Sequence, residues 1–190
     1  MSFEETFGKP TGCRQATPGA IKKHSKALPA ALIARWKREG FCGYGGGLLW
    51  FTDPDDLAEP LEDWLPTLRE WGVSKGARVI LRGAFGHLYL WDKRSAWSFD
   101  PLGLHGGGAV SKVVDDIAFL LDDLLTMPEL QEKILMKALF EKARKKHGPL
   151  AWDECFTFNP APALGGSVKL EAIKRAKLRE YLAILAGTGS

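Results

Sequence analysis

The chain has 190 residues, 45% of them hydrophobic and 26% charged, with a formal net charge of +3. That balance suits a folded domain with one good core and excludes a disordered chain. It also excludes a helical membrane protein, because no window approaches the roughly 20 apolar residues that a bilayer requires.

The charge is unevenly placed. Residues 1–46 carry eight Lys/Arg against three acids, residues 47–130 seven against fourteen, and residues 131–190 eleven against six. So acidic a middle does not fit a basic nucleic-acid binder. The opening MSFEETFGKP has no apolar run and is not expected to act as a signal peptide, so a cytoplasmic location is expected. Cys13, Cys42 and Cys155 form an odd set at long spacings. They read as reduced cytosolic thiols, not as a disulfide framework or a zinc site.

In chain order, a turn at Pro18-Gly19 leads to a helix starting near Pro29 and stopping at Gly40. Leu28, Leu32, Ile33 and Trp36 share its inner face. Gly45-Gly46-Gly47 resembles a phosphate loop only superficially, since no Gly-Lys-Ser/Thr follows. It is read as a turn into a buried strand, Leu48 to Phe51. Thr52 or Asp53 then caps a helix with Pro54 in its first turn. Leu57, Leu61, Trp64 and Leu65 face inward, and Pro60 is expected to kink or break the helix. Its outer face is acidic, with no Lys or Arg from residue 53 to residue 68.

The centre is β-like: Val79–Leu81, His87–Trp91 and Ala96–Phe99 alternate with short turns, which favours an antiparallel meander. A glycine-rich loop over residues 101–110 contains His105. Ser111 is read as the cap of a helix running to about Leu125. Thr126-Met127-Pro128-Glu129 matches a capping box for the next helix, which carries Leu130, Ile134, Leu135, Ala138, Leu139 and Ala143 on one face. Gly148-Pro149 stops it. Residues 153–167, DECFTFNPAPALGGS, break the helical pattern through Pro160 and Pro162. Phe156 and Phe158 alternate with Thr157 and Asn159, as in an extended segment with one buried face. A last helix is predicted from about Leu170 to Leu185. The expected fold is therefore α+β: a central antiparallel meander of about four strands packed with N-terminal and C-terminal helices.

Chemistry-bearing residues are sparse. His24, His87, His105 and His147 show no metal-ligand spacing, and His87 suits a structural place at the head of a strand. No cysteine sits in a nucleophile motif. Asp55-Asp56, Asp115-Asp116 and Asp122-Asp123 fit solvated helix faces and caps, whereas Asp153-Glu154 precedes the irregular loop. Gly165-Gly166-Ser167 before a helix could offer backbone N–H groups to an anion, or simply make a tight turn.

The run from Pro149 to Ser167, PLAWDECFTFNPAPALGGS, together with Lys177 to Ala186, KLREYLAILA, resembles the C-terminal signature of a bacterial family of type VI secretion immunity proteins. Phe7-Gly8-Lys9-Pro10, Leu28-Pro29, Trp36, Gly40 and the Trp50-to-Pro54 segment are similar to the GAD-like domain that precedes it in that family. Thr157, Asn159 and Pro162 depart from the family pattern. The resemblance implies a GAD-like region over residues 1–110 and a C-terminal helical region over residues 111–190, with the signature loop at 149–167 and one shared core. It implies a protein that is not an enzyme, has no catalytic residues, cofactor or metal, and neutralises a co-encoded DNase toxin by binding it. Neither direct nucleic-acid binding nor a membrane is expected.

A DNase presents a basic surface, so the acidic residues Asp53, Asp55, Asp56, Glu59, Glu62 and Asp63 are the first candidate contacts. The signature loop is the second: Asp153, Glu154, Phe156, Phe158, Pro160, Leu164, Gly165, Gly166 and Ser167. Burial of Phe156, Phe158 and Leu164 would make this loop a lock for the last helix. The competing reading is a small-ligand or enzymatic pocket formed by Asp153, Glu154, His105 and Gly165–Ser167. A weaker one is a nucleic-acid binder using Lys142–Lys146.

Overall fold

A computed structural model of the chain describes residues 2–104 and 110–187. Its main sheet is antiparallel and has seven strands, whose order across the sheet is their order along the chain. They are β1 (Thr11–Arg14), β2 (Phe41–Tyr44), β3 (Leu49–Phe51), β4 (Arg78–Gly83), β5 (Leu88–Asp92), β6 (Ser95–Phe99) and β7 (Val110–Val114). A second sheet pairs β8 (Glu154–Phe158) with β9 (Ile173–Lys177). The α-helices among the described residues are α1 (Phe3–Phe7), α2 (Pro18–His24), α3 (Ala30–Glu39), α4 (Ala58–Asp63), α5 (Leu65–Glu70), α6 (Pro128–Lys133), α7 (Lys137–His147) and α8 (Leu178–Gly187), and a π-helix covers Phe119–Leu124.

The meander is thus present but longer than the four strands expected, which correspond to β3–β6. The additions lie mainly at the sheet's ends. β1 is mostly exposed and β2 is short and contains Gly43, so neither shows alternation. β7 was expected to be the start of a helix, and Ser111 its cap. Instead Ser111 pairs with Ser98 and Val110 with Phe99. Val113 and Val114 share the helical spacing of Ile117, Leu120 and Leu121 only by coincidence, since β-branched residues favour the strand, whereas residues 117–124 are helical as expected. The helical turn starts later, where Asp116 accepts a hydrogen bond from the Ala118 N–H at 2.8 Å.

Elsewhere α3 forms as expected, with Leu32, Ile33 and Trp36 buried. Asp53 caps a 3-10 turn, Pro54–Leu57, which runs into α4. Pro60 lies in the first turn of α4, where its missing N–H would have had no partner. The break falls instead at Trp64, between α4 and α5. The expected capping box before α6 is absent: the Thr126 hydroxyl donates backwards to the carbonyls of Asp122 and Asp123, both at 2.9 Å. The single helix expected after it is two, because Met136 adopts a left-handed conformation, φ 52°. There the Glu132 carboxylate accepts from the Ala138 N–H at 3.2 Å and starts α7 anew. The long last helix is also divided: Ile173–Lys177 is β9, and only Leu178–Gly187 is helical.

Cys13 and Cys42 form a disulfide between β1 and β2, which corrects the expectation of three reduced thiols. The two residues meet because β1 and β2 pair antiparallel with Thr11 opposite Gly43 and Arg14 opposite Phe41. One contiguous apolar cluster runs from Phe3 in α1 to Leu185 in α8. Trp50 lies flat over the β2 backbone, and a Cβ on Gly43 would stand 2.8 Å from its indole, so this position has room only for glycine.

Candidate functional site

The acidic segment runs beside the C-terminal part of the chain. The Trp64 indole N–H donates to the Leu182 carbonyl at 3.2 Å, and Glu59 pairs with Arg179. The segment is less bare than its sequence suggests. Asp55 accepts from Lys23 Nζ at 2.7 Å, and Asp56 pairs with Arg14. Asp53 spends one oxygen on the Asp55 N–H. Burial pushes the Asp56 carboxyl upward, and the Arg14 guanidinium opposes that shift. Among the described residues, Glu62 and Asp63 form no ion pair, and both are exposed. The cations come from residues 14, 23 and 179, so no local window of sequence could have shown the pairing.

The signature segment divides into a buried strand and an exposed tip. In β8, Cys155, Phe156 and Phe158 are buried. Phe158 stacks on Phe85 with ring centroids 5.4 Å apart and an interplanar angle of 8°. The Phe156 N–H donates to the Ala84 carbonyl at 2.8 Å, tying β8 to the turn between β4 and β5. Asp153 holds Lys177 at 2.6 Å, and Glu154 holds Arg175 across the β8–β9 ladder. Asn159–Pro160 is a cis bond. The chain then folds back, with the Gly166 N–H donating to the Ala161 carbonyl at 3.0 Å. A Cβ on Gly166 would meet the Pro160 carbonyl oxygen at 1.8 Å. Leu164 is 57% exposed, which corrects the expectation that it would be buried. It sits at the tip of a short 3-10 turn, Pro162–Leu164, that projects from the strand. Pro160 and Ser167 are also exposed.

Between the two halves lies a small cavity of about 50 Å³, bounded by Arg14, Asp56, Arg82, Trp152, Asp153 and Arg179 among others. Arg82 projects from β4, is fully buried, and donates from Nη2 to the carbonyls of Ala151 at 3.2 Å and Trp152 at 2.8 Å. Its guanidinium carbon is 4.9 Å from the Trp50 ring centroid. Burial lowers its pKa to about 10. Trp152 in turn covers the Arg14 guanidinium at 3.7 Å. Neither arginine was singled out from sequence. A lone Arg inside an apolar strand, VILRG, was the available signal.

The competing pocket is not assembled by this cavity: Asp153 borders it, whereas Glu154 and Gly165–Ser167 do not. His105 lies outside the described residues. No helix follows Gly165–Ser167 directly, because a 3-10 turn (Leu170–Ala172) and β9 intervene, and this removes the helix N-terminus on which the anion reading depended. His87 is buried, with Nε2 2.9 Å from the Ser98 hydroxyl. None of the helices among the described residues is long and apolar enough to cross a membrane.

Comparison with known proteins gives two family matches. Residues 1–100 match the GAD-like domain. Residues 117–188 match the model described as T6SS immunity protein Tdi1, C-terminal. Among solved structures, the chain is similar to the crystal structure of Atu4351 from Agrobacterium tumefaciens. The TM-score is 0.71 at 15% sequence identity, over 96% of this chain and 86% of that one. At that identity the likeness shows the fold alone. No curated protein matches the chain.

Proposed function

We propose that this chain, which belongs to the GAD-like domain family, is an immunity protein that binds and neutralises a cognate DNase toxin of a type VI secretion system. The observation that carries this reading is the match of residues 117–188 to the Tdi1 C-terminal region, and that match supports an immunity role. A single apolar cluster draws on both matched segments, which supports their acting as one unit. Neutralisation by binding needs no catalytic residue in this chain.

The toxin-contacting surface is assigned to the acidic segment, Asp53, Asp55, Asp56, Glu59, Glu62 and Asp63, with the exposed tip at Leu164 as a second contact. The internal ion pairs rank these acids. Asp55, Asp56 and Glu59 are already neutralised by Lys23, Arg14 and Arg179, so Glu62 and Asp63 carry most of the free negative potential. A basic nuclease surface would meet those two first.

The test is co-expression with the toxin encoded beside this gene, followed by purification and affinity measurement at two salt concentrations. We expect a complex and loss of DNase activity. Glu62→Lys/Asp63→Lys should slow association and flatten its salt dependence. A folded protein that neither binds nor protects against that toxin would refute the immunity reading. Unchanged affinity and salt dependence in the double variant would remove only the acidic surface.

A further inference from the structure

His24 is the last residue of α2, and its side chain is only 3% exposed. The ring edge meets Trp36 at 90°, with centroids 6.3 Å apart, so packing fixes its orientation. Neither ring nitrogen makes a hydrogen bond. A buried imidazole is usually bonded through at least one nitrogen. Here Nε2 instead faces two carboxylate oxygens, Asp55 Oδ1 at 3.3 Å and Asp53 Oδ1 at 3.9 Å. One ligand atom from each of the three side chains lies within 4.8 Å of the other two. Donors about 2.0–2.2 Å from a common zinc-like cation would be separated by about 3–4 Å.

We propose that His24 Nε2, Asp53 Oδ1 and Asp55 Oδ1 form a binding site for a divalent transition-metal cation of the Zn²⁺ class. The local chain is built for it. Asp53 caps the 3-10 turn, Pro54 follows it, and the Asp55 N–H holds the Asp53 side chain at 3.1 Å. This short turn presents both carboxylates on the side where α2 ends. His24 and Asp55 also border a cavity of about 190 Å³, which leaves room for water in the remaining coordination positions. One imidazole and two carboxylates favour zinc-like ions over Ca²⁺, which takes an all-oxygen set. Without a metal, Lys23 partly takes the cation's place: its Nζ lies 2.7 Å from each Asp55 oxygen. Sequence spacing gave no hint, because residue 24 comes from a different helix than residues 53 and 55.

The site does not depend on the toxin reading, and its test needs no toxin. Zn²⁺ is titrated calorimetrically into the full chain at neutral pH in a non-chelating buffer, with Co²⁺ as the spectroscopic probe and Ca²⁺ as the control cation. We expect one saturable Zn²⁺ site per chain, no Ca²⁺ binding of similar strength, and a Co²⁺ spectrum without a thiolate charge-transfer band. Asp53→Asn and Asp55→Asn should each weaken Zn²⁺ binding by about tenfold or more. Lys23→Gln removes the competing cation and should tighten it, while Glu70→Gln, on the exposed face of α5, should leave it unchanged. Both Asn substitutions are at partly exposed positions, and the fold can be checked by circular dichroism before titration. The proposal is overturned by no saturable heat, by undiminished binding in the Asp53→Asn/Asp55→Asn double variant, or by a thiolate band that places the metal on cysteine.

Discussion

Cys155 shows how completely a side chain can be silenced by its surroundings. It is fully buried in β8, and burial pushes its thiol up to about 12. The thiolate is the reactive form, so this cysteine should be inert in the native protein. With Cys13 and Cys42 joined, we expect no thiol to react with a chromogenic disulfide reagent in the native state. One should react after unfolding, and three after unfolding with reductant. Two additional fast native thiols would show that the bridge is not formed. Glu154 offers a pH test. Burial alone would raise its pKa, but the Ala151 N–H and the Arg175 guanidinium outweigh burial and lower it below 4.5. The unfolded chain therefore binds this proton more readily than the folded one. The stability Glu154 contributes is present above 4.5 and is lost as pH falls through the lower folded value. Urea midpoints measured from about pH 6 down to about pH 3 should fall more steeply for the wild type than for Glu154→Gln. Parallel curves would mean that the pairing adds nothing.

Among the elements, β8 carries the most consequence. It joins the second sheet to the turn between β4 and β5 through Phe85, Phe156 and Phe158. Phe158→Ala removes a stacked, buried ring and should cost about 3–5 kcal/mol in chemical denaturation. A loss below about 1 kcal/mol would mean that the site collapses to fill the space. Gly166→Ala should also destabilise, because its new methyl would press on the Pro160 carbonyl and no flexible side chain is there to yield. The acidic segment behaves differently. Its pairs with Lys23 and Arg179 are largely exposed, and such pairs contribute roughly 0–1 kcal/mol. Glu62→Lys/Asp63→Lys, without partners among the described residues, should stay within about 0.5 kcal/mol per substitution of the parent. A lost toxin interaction in that variant would therefore report on the surface and not on folding.

For the whole molecule, the prediction concerns cooperativity. The apolar cluster passes from α1 through the seven-stranded sheet to α8, and Arg82 anchors residues 151 and 152 on the far side of the seam. Heat or urea should produce one transition, coincident by tryptophan fluorescence and far-ultraviolet circular dichroism. Two separated transitions would show that the segments matched at residues 1–100 and 117–188 fold independently. The charge balance is likewise a property of the whole. The basic ends of the chain fold back onto the acidic middle, Arg14 onto Asp56 and Arg179 onto Glu59. Part of the uneven charge along the sequence is thereby neutralised by pairing within the molecule.

The amino-acid sequence by itself determined the elements whose cause is local. α3 follows from the spacing of Leu32, Ile33 and Trp36 and from Gly40 at its end. β3–β6 follow from short apolar runs between turns, and the Asp53 cap from an acid before Pro54. The resemblance carried by residues 149–167 also lay in the sequence alone. Tertiary structure decided the rest. Residues 110–114 and 173–177 are strands because β6 and β8 offer backbone partners to them, and an apolar spacing that also suits a helix cannot outweigh a completed ladder. Which acids remain free, where Arg82 donates, and how His24 meets Asp53 and Asp55 all depend on contacts between residues far apart in the chain. Periodicity reports which face of an element is buried; it does not report what that face is buried against, and the candidate site is made of those contacts.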